Sequence, residues 1–555
     1  MDKVWLKSYP DGMPETVDIN AYQSVVGVFE QAVSEYADRP AFTNLGTTLT
    51  YSEMEQLTGY LASYLQRLPN MKQGDRVAIM MPNVLQNPIA IFAVLRAGFT
   101  VVNTNPLYTP RELKHQLADS GAKAIIVMEN FCSTLAEVVD ETPIQHVITT
   151  QLGDMLKFPK SFIVNLVVKY IKKMVPPFTL KRSVKFKLAL AEGARVAHTK
   201  VSISPDDLAF LQYTGGTTGV AKGAMLTNRN MVANMQQASA WLKDEVDEGK
   251  DIIITALPLY HIFSLTANCL TFMKVGAENY LITNPRDMAG FVKELKSVPF
   301  TAITGVNTLF IGLLNTPGFD EIDFSHLKLT LGGGMAVQQP VAERWKEATG
   351  TPLLEAYGLT ETSPAVCINP LNLREYNGSI GLPVPSTEVS IRDEDGKVLS
   401  QGESGELCVK GPQVMKGYWN REDETAKVMT SDGWLKTGDV AKMDKSGFFR
   451  IVDRLKDMIL VSGFNVYPNE IEAIIMGHKG VLEVGVVGEP NPKSGEIIKA
   501  VIVKKDPSLT EEDVIAHCRE NLTAYKVPKI IEFRAELPKT NVGKILRREL
   551  KSTQK

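Results

Sequence analysis

Cysteine is scarce in this chain: 555 residues hold 5, at Cys132, Cys269, Cys367, Cys408 and Cys518, far apart along the sequence. That spacing excludes a zinc knuckle and a disulfide framework, and reduced thiols in a cytoplasmic setting are the simplest expectation. No stretch supplies the roughly 18 apolar residues that a spanning helix needs. Residues 1–19 carry Asp2, Asp11, Glu15 and Asp18 and lack the apolar core of a secretory leader, so none is expected. A surplus of positive charge is missing as well. With 60 Lys and Arg against 63 Asp and Glu the formal charge is -3, which argues against nucleic-acid binding through bulk charge, and no basic reader motif is evident. Internal repeats are absent too. The length allows roughly three or four domain-sized units of ordinary globular composition.

What is present is concentrated in one loop. Tyr213, Thr214, Gly215, Gly216, Thr217, Thr218, Gly219, Val220, Ala221, Lys222, Gly223 and Ala224 combine glycines, threonines and a lysine just before a helix-forming run. Glycines let backbone N–H groups turn toward an anion, threonine hydroxyls add donors and can ligate a cation, and the lysine adds fixed charge. The spacing is not that of a Walker A loop, because no Gly-Lys pair precedes Ser or Thr. Taken alone, the composition would also suit a flexible linker.

Short apolar runs at 77–81, 101–102, 124–128 and 147–148 alternate with helical stretches at 85–97 and 110–120, the pattern of βαβ units and a parallel sheet. A second α/β stretch is expected from Leu208 to about Glu361, with strands at 252–256, 301–304 and 328–331. Short strands separated by Gly and Asp turns from Gly381 to Ile451 predict a β-rich subdomain. The last hundred or so residues predict a small α+β unit, with helices at 468–476 and 511–520 and strands at 481–487, 497–503 and 530–533. The fold class is therefore α/β: a large N-terminal α/β domain of two parallel-sheet subdomains plus a β-rich one, and a small C-terminal α+β domain.

Further segments follow the loop in order: Gly332-Gly333-Gly334-Met335; Tyr357-Gly358-Leu359-Thr360-Glu361-Thr362; Asp432 through Val440; Asp453-Arg454-Leu455-Lys456-Asp457; and Pro538-Lys539-Thr540-Asn541-Val542-Gly543-Lys544-Ile545. The set resembles the adenylate-forming superfamily of acyl-CoA synthetases, luciferase and peptide-synthetase adenylation domains. Asp432 to Asp457 is similar to the signature of fatty-acyl-CoA synthetases, and the likeness to bacterial long-chain fatty-acid-CoA ligases spans essentially the whole chain. The resemblance implies ATP, Mg2+ and coenzyme A as cofactor and co-substrates and an acyl-adenylate intermediate, with AMP and pyrophosphate released. It implies that residues 213–224 wrap the phosphates, that Thr217 and Glu361 contact magnesium, and that Thr360 donates to the α-phosphate. Gly333, Gly334 and Tyr357 would flank the adenine, and Asp439 and Arg454 would hold the ribose. His261 would lie beside the acyl carboxylate and Gly463 beside the pantetheine. Lys544 would stabilise the first transition state. The boundary implied is 1–455 for the adenylating domain and 456–555 for a mobile lid, with Lys456 as hinge.

Between Lys157 and Lys187 the chain has nine basic residues and no acidic one. On a helix Ser161, Asn165, Lys169, Lys172 and Lys173 share an arc of about 120°, while Ile163, Val164, Leu166, Val167, Val168, Tyr170, Ile171 and Met174 cover the rest, with Phe162 out of place. Pro176-Pro177 is expected to end that helix. A basic helix with a wide apolar face suits an interfacial anchor, here on the inner face of the membrane; a core-facing helix with solvated lysines is the other reading. A fatty acid in degradative lipid metabolism is the favoured substrate. An aryl or medium-chain acid, a carrier-protein acceptor and a non-enzymatic lipid-binding protein are the competitors, and a homodimer is left open.

Overall fold

The computed structural model describes residues 3–214, 221–540 and 543–552. A seven-stranded sheet holds, in spatial order, Ser183–Lys185, His146–Thr150, Ala124–Met128, Arg76–Met80, Thr100–Asn103, Leu208–Thr214 and Lys222–Thr227. All neighbours are parallel except the last pair, an antiparallel hairpin. The central strands are buried on both faces, which is why Ala124–Met128 reads as an unbroken apolar run.

The expectation that Leu208 opens the second α/β stretch is corrected. Leu208–Thr214 pairs with Thr100–Asn103 and so closes the first sheet. The second sheet, of nine strands, is centred on Ile252–Thr255, Ala302–Gly305, Leu329–Gly333 and Leu353–Gly358, and it recruits the N-terminal hairpin Pro40–Asn44 and Thr47–Thr50 at its far edge. Sequence order hides both exchanges, because each strand finds its partner about a hundred or more residues away in the chain. The β-rich subdomain is an antiparallel sheet of Glu388–Arg392, Gly405–Lys410, Leu435–Met443 and Phe449–Arg454.

The C-terminal unit contains the expected helices Pro468–Met476 and Glu511–Asn521 and strands Val481–Asn491, Gly495–Lys504 and Ile530–Arg534. A short hairpin, Ile459–Val461 with Phe464–Val466, is added to its sheet. All five cysteines are buried and free. Burial pushes the Cys408 and Cys518 thiols up to about 11 and that of Cys132 to about 12.

The basic segment departs from its predicted form in one respect and follows it in another. Its helix runs over Lys160–Leu166 and continues as a wider π turn over Val167–Ile171. It therefore ends well before Pro176: Lys173 takes a left-handed φ of 51° and Met174 N–H returns to Val168 O at 2.9 Å, a left-handed closure of the kind common at helix ends. Two residues of the polar arc are tied to the body, while Lys172 and Lys173 of the same arc are exposed. Asn165 Oδ1 accepts from Gly153 N–H at 2.7 Å, and Lys169 pairs with Glu129 at 3.9 Å. Of the apolar arc, Tyr170, Ile171, Met174 and Ile163 are exposed, as are Phe158 and Phe162 outside it, and no residue of the helix or its π turn is buried.

Candidate active site

The phosphate-loop hairpin is held from outside at its two described ends. Tyr213 stands opposite Gly223 and Thr214 opposite Lys222 in the strand register. The Tyr213 hydroxyl donates to Asp119 Oδ2 at 2.6 Å, and His115 Nε2 lies 3.1 Å from Ala221 O, so one face of the Pro110–Ser120 helix braces both ends of the loop. Gly215, Gly216, Thr217, Thr218, Gly219 and Val220, including the magnesium role expected of Thr217, lie outside the described residues. Ala224 is buried at the base of the hairpin. Thr227 then caps the Asn228–Leu242 helix through a reciprocal capping box with Asn230, and Asn230 Nδ2 donates to Pro412 O and Val414 O at 2.8 Å.

Those bonds fix a segment that sequence reasoning passed over. Met225 N–H donates to Gly417 O at 2.9 Å, Trp419 N–H to Gly223 O at 2.8 Å, and Met415 N–H to Glu361 O at 2.8 Å. Residues 415–419 thus tie the phosphate hairpin to the Thr360–Thr362 turn. Lys222 forms an ion pair with Glu424 and stands 4.9 Å from the centroid of the Tyr418 ring. Lys222 and Lys427 together hold the Glu424 carboxyl down at about 2. The only advance signal was a glycine beside two large aromatics, Gly417-Tyr418-Trp419, which a core segment shows equally well.

Across a cleft of about 2270 Å³ the other expected residues come together: Gly333, Gly334, Tyr357, Thr360, Glu361, Asp439, Arg454, Lys456, His261 and Lys544 all border it. Asp439 and Arg454 face each other on adjacent strands and pair at 3.3 Å. The Tyr357 hydroxyl donates to the other Asp439 oxygen at 2.6 Å. Tyr357, expected at the base, and Asp439 and Arg454, expected at the sugar, are therefore one connected unit. His261 is neutral, because burial, assisted by the charge of Lys544, lowers it to about 3. Its Nδ1 accepts from Phe263 N–H at 3.3 Å, which leaves the proton on Nε2.

Lys544 arrives from the C-terminal unit, and two glycines let it in. Gly543 has φ 86°, and a Cβ there would lie 2.8 Å from Thr308 Oγ1, whose hydroxyl donates to Gly543 O at 2.9 Å. Gly334 has φ 76°, and a Cβ there would lie 3.3 Å from Lys544 Cε. Loss of water lowers the Lys544 ammonium to about 8. Arg454 adds to that effect, while Asp439 and Glu361 oppose it. A second cation from the same segment, Arg547, binds Asp453 at 3.1 Å, Asp457 at 3.2 Å and Glu472 at 2.8 Å, and donates to Asn469. Gly463 is not brought to the cleft: it turns the short hairpin at φ 83° with open space around it.

Among the described residues no three His, Cys, Asp or Glu side chains gather into a metal cage. A magnesium ion would fit here only with nucleotide phosphates as co-ligands, which is its ordinary mode, and Glu361 is among the carboxylates that border the cleft.

A glycine-threonine hairpin, a Tyr–Asp–Arg unit and an incoming lysine around one cleft define an adenylate-forming site. The chain belongs to the AMP-binding enzyme family: the AMP-binding enzyme model matches residues 29–419, and the AMP-binding enzyme C-terminal domain model matches 470–544. It is similar to the long-chain-fatty-acid–CoA ligase of Escherichia coli O157:H7, 59% identical over 551 residues that cover 99% of this chain and 98% of that one. It is also similar to the feruloyl-CoA synthase of Amycolatopsis sp, 34% identical over 510 residues covering 91% and 94%. Among solved structures, ATP-bound MatB from Rhodopseudomonas palustris superposes with a TM-score of 0.78 at 27% identity, covering 95% of this chain and 98% of that one. Enzymes of this kind use ATP, Mg2+ and coenzyme A.

Proposed function

We propose that the protein converts long-chain fatty acids to their CoA thioesters through an acyl-adenylate. In the first step a carboxylate oxygen attacks the α-phosphorus of ATP and pyrophosphate leaves. In the second the CoA thiolate attacks the acyl carbon and AMP leaves. The observation that carries this reading is the seat of Lys544 in the cleft, among Gly334, Arg454, Asp439 and Glu361. A buried cation there stabilises charge that develops on the phosphoryl oxygens far better than it would in water. Tyr357, Asp439 and Arg454 orient the nucleotide, the phosphate hairpin and Thr360 supply donors, and neutral His261 offers Nε2–H to the acid carboxylate. Magnesium, when bound at Glu361, neutralises phosphate charge.

Residues 1–455 form the adenylating domain and 456–555 the lid, which turns about Lys456 in the 3₁₀ turn Leu455–Asp457. The turn withdraws Lys544 and brings Gly463 to the pantetheine. The exposed position of Gly463 is what that second pose requires.

An apolar extension of the cleft supports a long acid. Ala238, Trp241, Leu242, Ala267, Phe272 and Ile368 line it. Ala267→Phe fills that space, and at about 0.8 kcal/mol per methylene denied burial the variant is expected to lose at least tenfold in kcat/KM for hexadecanoate while octanoate changes less than threefold. Acid-dependent release of pyrophosphate and AMP, with CoA consumed, across acids of graded length is the direct test of the function. Coumarate turned over as well as hexadecanoate would move the reading to an aryl-acid ligase. Absence of acid-dependent pyrophosphate release would leave a lipid-binding protein.

The 157–187 segment is the surface at which such acids are met, on the inner face of the membrane. No described helix is long and apolar enough to cross a membrane. Phe158, Phe162, Tyr170 and Ile171 stand out from the body beside Lys172 and Lys173. Each lysine near an anionic leaflet contributes roughly 1 kcal/mol, and the rings add burial. Replacing Phe162, Tyr170 and Ile171 with Ser is expected to weaken co-sedimentation with phosphatidylglycerol vesicles at least tenfold and to leave turnover of a short, water-soluble acid unchanged. Equal sedimentation of the two proteins would refute the anchor.

A further inference from the structure

Glu361 is the one carboxylate that the proposed reaction needs free for a cation, yet one of its oxygens is already taken. The Tyr418 hydroxyl donates to Glu361 Oε1 at 2.7 Å. Tyr418 is itself over nine-tenths buried, at 7% exposure, and its backbone is held from both sides. Its N–H donates to Thr425 Oγ1 at 2.9 Å, and Ala224 bridges to it from the base of the phosphate hairpin. The preceding Gly417, at φ 141°, lets the chain pass so close to Thr425 that a Cβ would stand 2.9 Å from its methyl. The ring therefore cannot drift, and neither can the hydroxyl on it. Its opposite duty is to Lys222, whose ammonium lies over the ring face while paired to Glu424.

We propose that Tyr418 is a positioning residue for divalent-cation binding: its hydroxyl fixes the rotation of the Glu361 carboxylate, and its ring keeps Lys222 on the phosphate side of the cleft. A carboxylate turning freely about its last bond offers either oxygen, or both, to solvent. One pinned by a buried donor presents the remaining oxygen in a single direction, which is the arrangement a cation with strict octahedral demands can use. The same ring couples the two ends of the triphosphate site. The face that steadies Lys222 belongs to the residue that steadies Glu361, so the cation carboxylate and the phosphate lysine hold their spacing.

The inference rests on the proposed adenylation, and its test separates the two. Tyr418→Phe keeps the ring, and with it the Lys222 contact, and deletes only the hydroxyl. Manganese binding is read by electron paramagnetic resonance in the presence of a non-hydrolysable ATP analogue, so that no turnover is needed. Loss of a group that orients a metal ligand ordinarily costs tenfold or more in affinity; Tyr418→Phe is expected to weaken manganese at least tenfold. The Mg2+ concentration for half-maximal pyrophosphate release should rise by the same factor, while the rate at saturating Mg2+ stays within about threefold. Tyr418→Ala should in addition weaken the analogue itself, since Lys222 loses the ring. A purely structural role would lower the melting temperature and kcat and leave manganese affinity alone. Unchanged manganese binding by a folded Tyr418→Phe protein overturns the inference, even if wild type performs the reaction. Failure of wild type to release pyrophosphate with any acid overturns the proposed function instead.

Discussion

Lys544→Ala is expected to slow adenylate formation about a thousandfold, the scale on which a single oriented charge-stabilising group acts, and to change thioester formation from supplied acyl-adenylate by less than about threefold. The asymmetry follows from where the lysine sits. Its side chain reaches the cleft through the close approaches at Gly543 and Gly334, and in the proposed two-pose cycle the second half-reaction proceeds with the lysine withdrawn. A pH dependence accompanies it. The ammonium is the active form and its ordinary value is lowered to about 8, so it is charged below that pH and lost as pH rises through it. In the wild type, kcat/KM for ATP in adenylate formation should fall tenfold per pH unit above about 8, and the thioester step should lack that limb. Pyrophosphate release and thioester formation, measured separately by rapid quench, check both. Equal loss of the two half-reactions in Lys544→Ala would contradict the assignment.

Arg547→Ala should have the next largest effect. Arg547 joins four partners, Asp453, Asp457, Asn469 and Glu472, and one of them, Asp453, precedes Lys456 in the chain and is wholly buried. Asp453 also accepts from Asn469 N–H at 2.8 Å. Burial disfavours the guanidinium, but Glu472, Asp453 and Asp457 more than offset this and raise it above its ordinary value. Removing the cation leaves the buried Asp453 carboxylate without its counter-ion beside the half-buried Glu472 and Asp457, a loss of about 3–5 kcal/mol in comparable buried pairs. If that cluster seats the lid, adenylate formation falls about a hundredfold or more, while the thioester step on supplied adenylate falls far less. Arg547→Lys should recover only a fraction, because a point charge cannot serve four acceptors in a fork. Adenylation within threefold of wild type in Arg547→Ala would show that the cluster does not hold this pose.

How much could be read in advance depended on whether the cause was local. The Pro110–Ser120 helix is legible because Thr109, Pro110 and Glu112 write its first turn into adjacent residues, as a capping box with proline at the start. The Ala124–Met128 strand is legible because both its faces are buried. The allocation of strands to sheets is not, since nothing in Leu208–Thr214 names Thr100–Asn103 as its neighbour. The site shows the same division. Asp439, Arg454, Glu361 and Lys544 stand in recognisable ordered segments, so their convergence was expected. Tyr418, Glu424, Asp119 and Arg547 act through partners 57 to 202 residues away, and a lone tyrosine or glutamate carries no mark of such a partner. The orientation of the basic helix was hidden for another reason. Its pattern fixes which residues share a face, and only the hydrogen bonds of Asn165 to Gly153 and Asp154 settle which face meets the protein.

A catalyst that manufactures a mixed anhydride keeps a potent acylating agent beside its own polypeptide, and the agent does not distinguish the intended sulfur from any other. All five thiols here are sealed in the interior, and Cys132, Cys408 and Cys518 sit at about 11 to 12, so at neutral pH hardly any of these three is thiolate. The scarcity and burial of cysteine thus leave no accessible thiol of the chain to compete, and the sulfur that reacts is the one carried in by the acceptor.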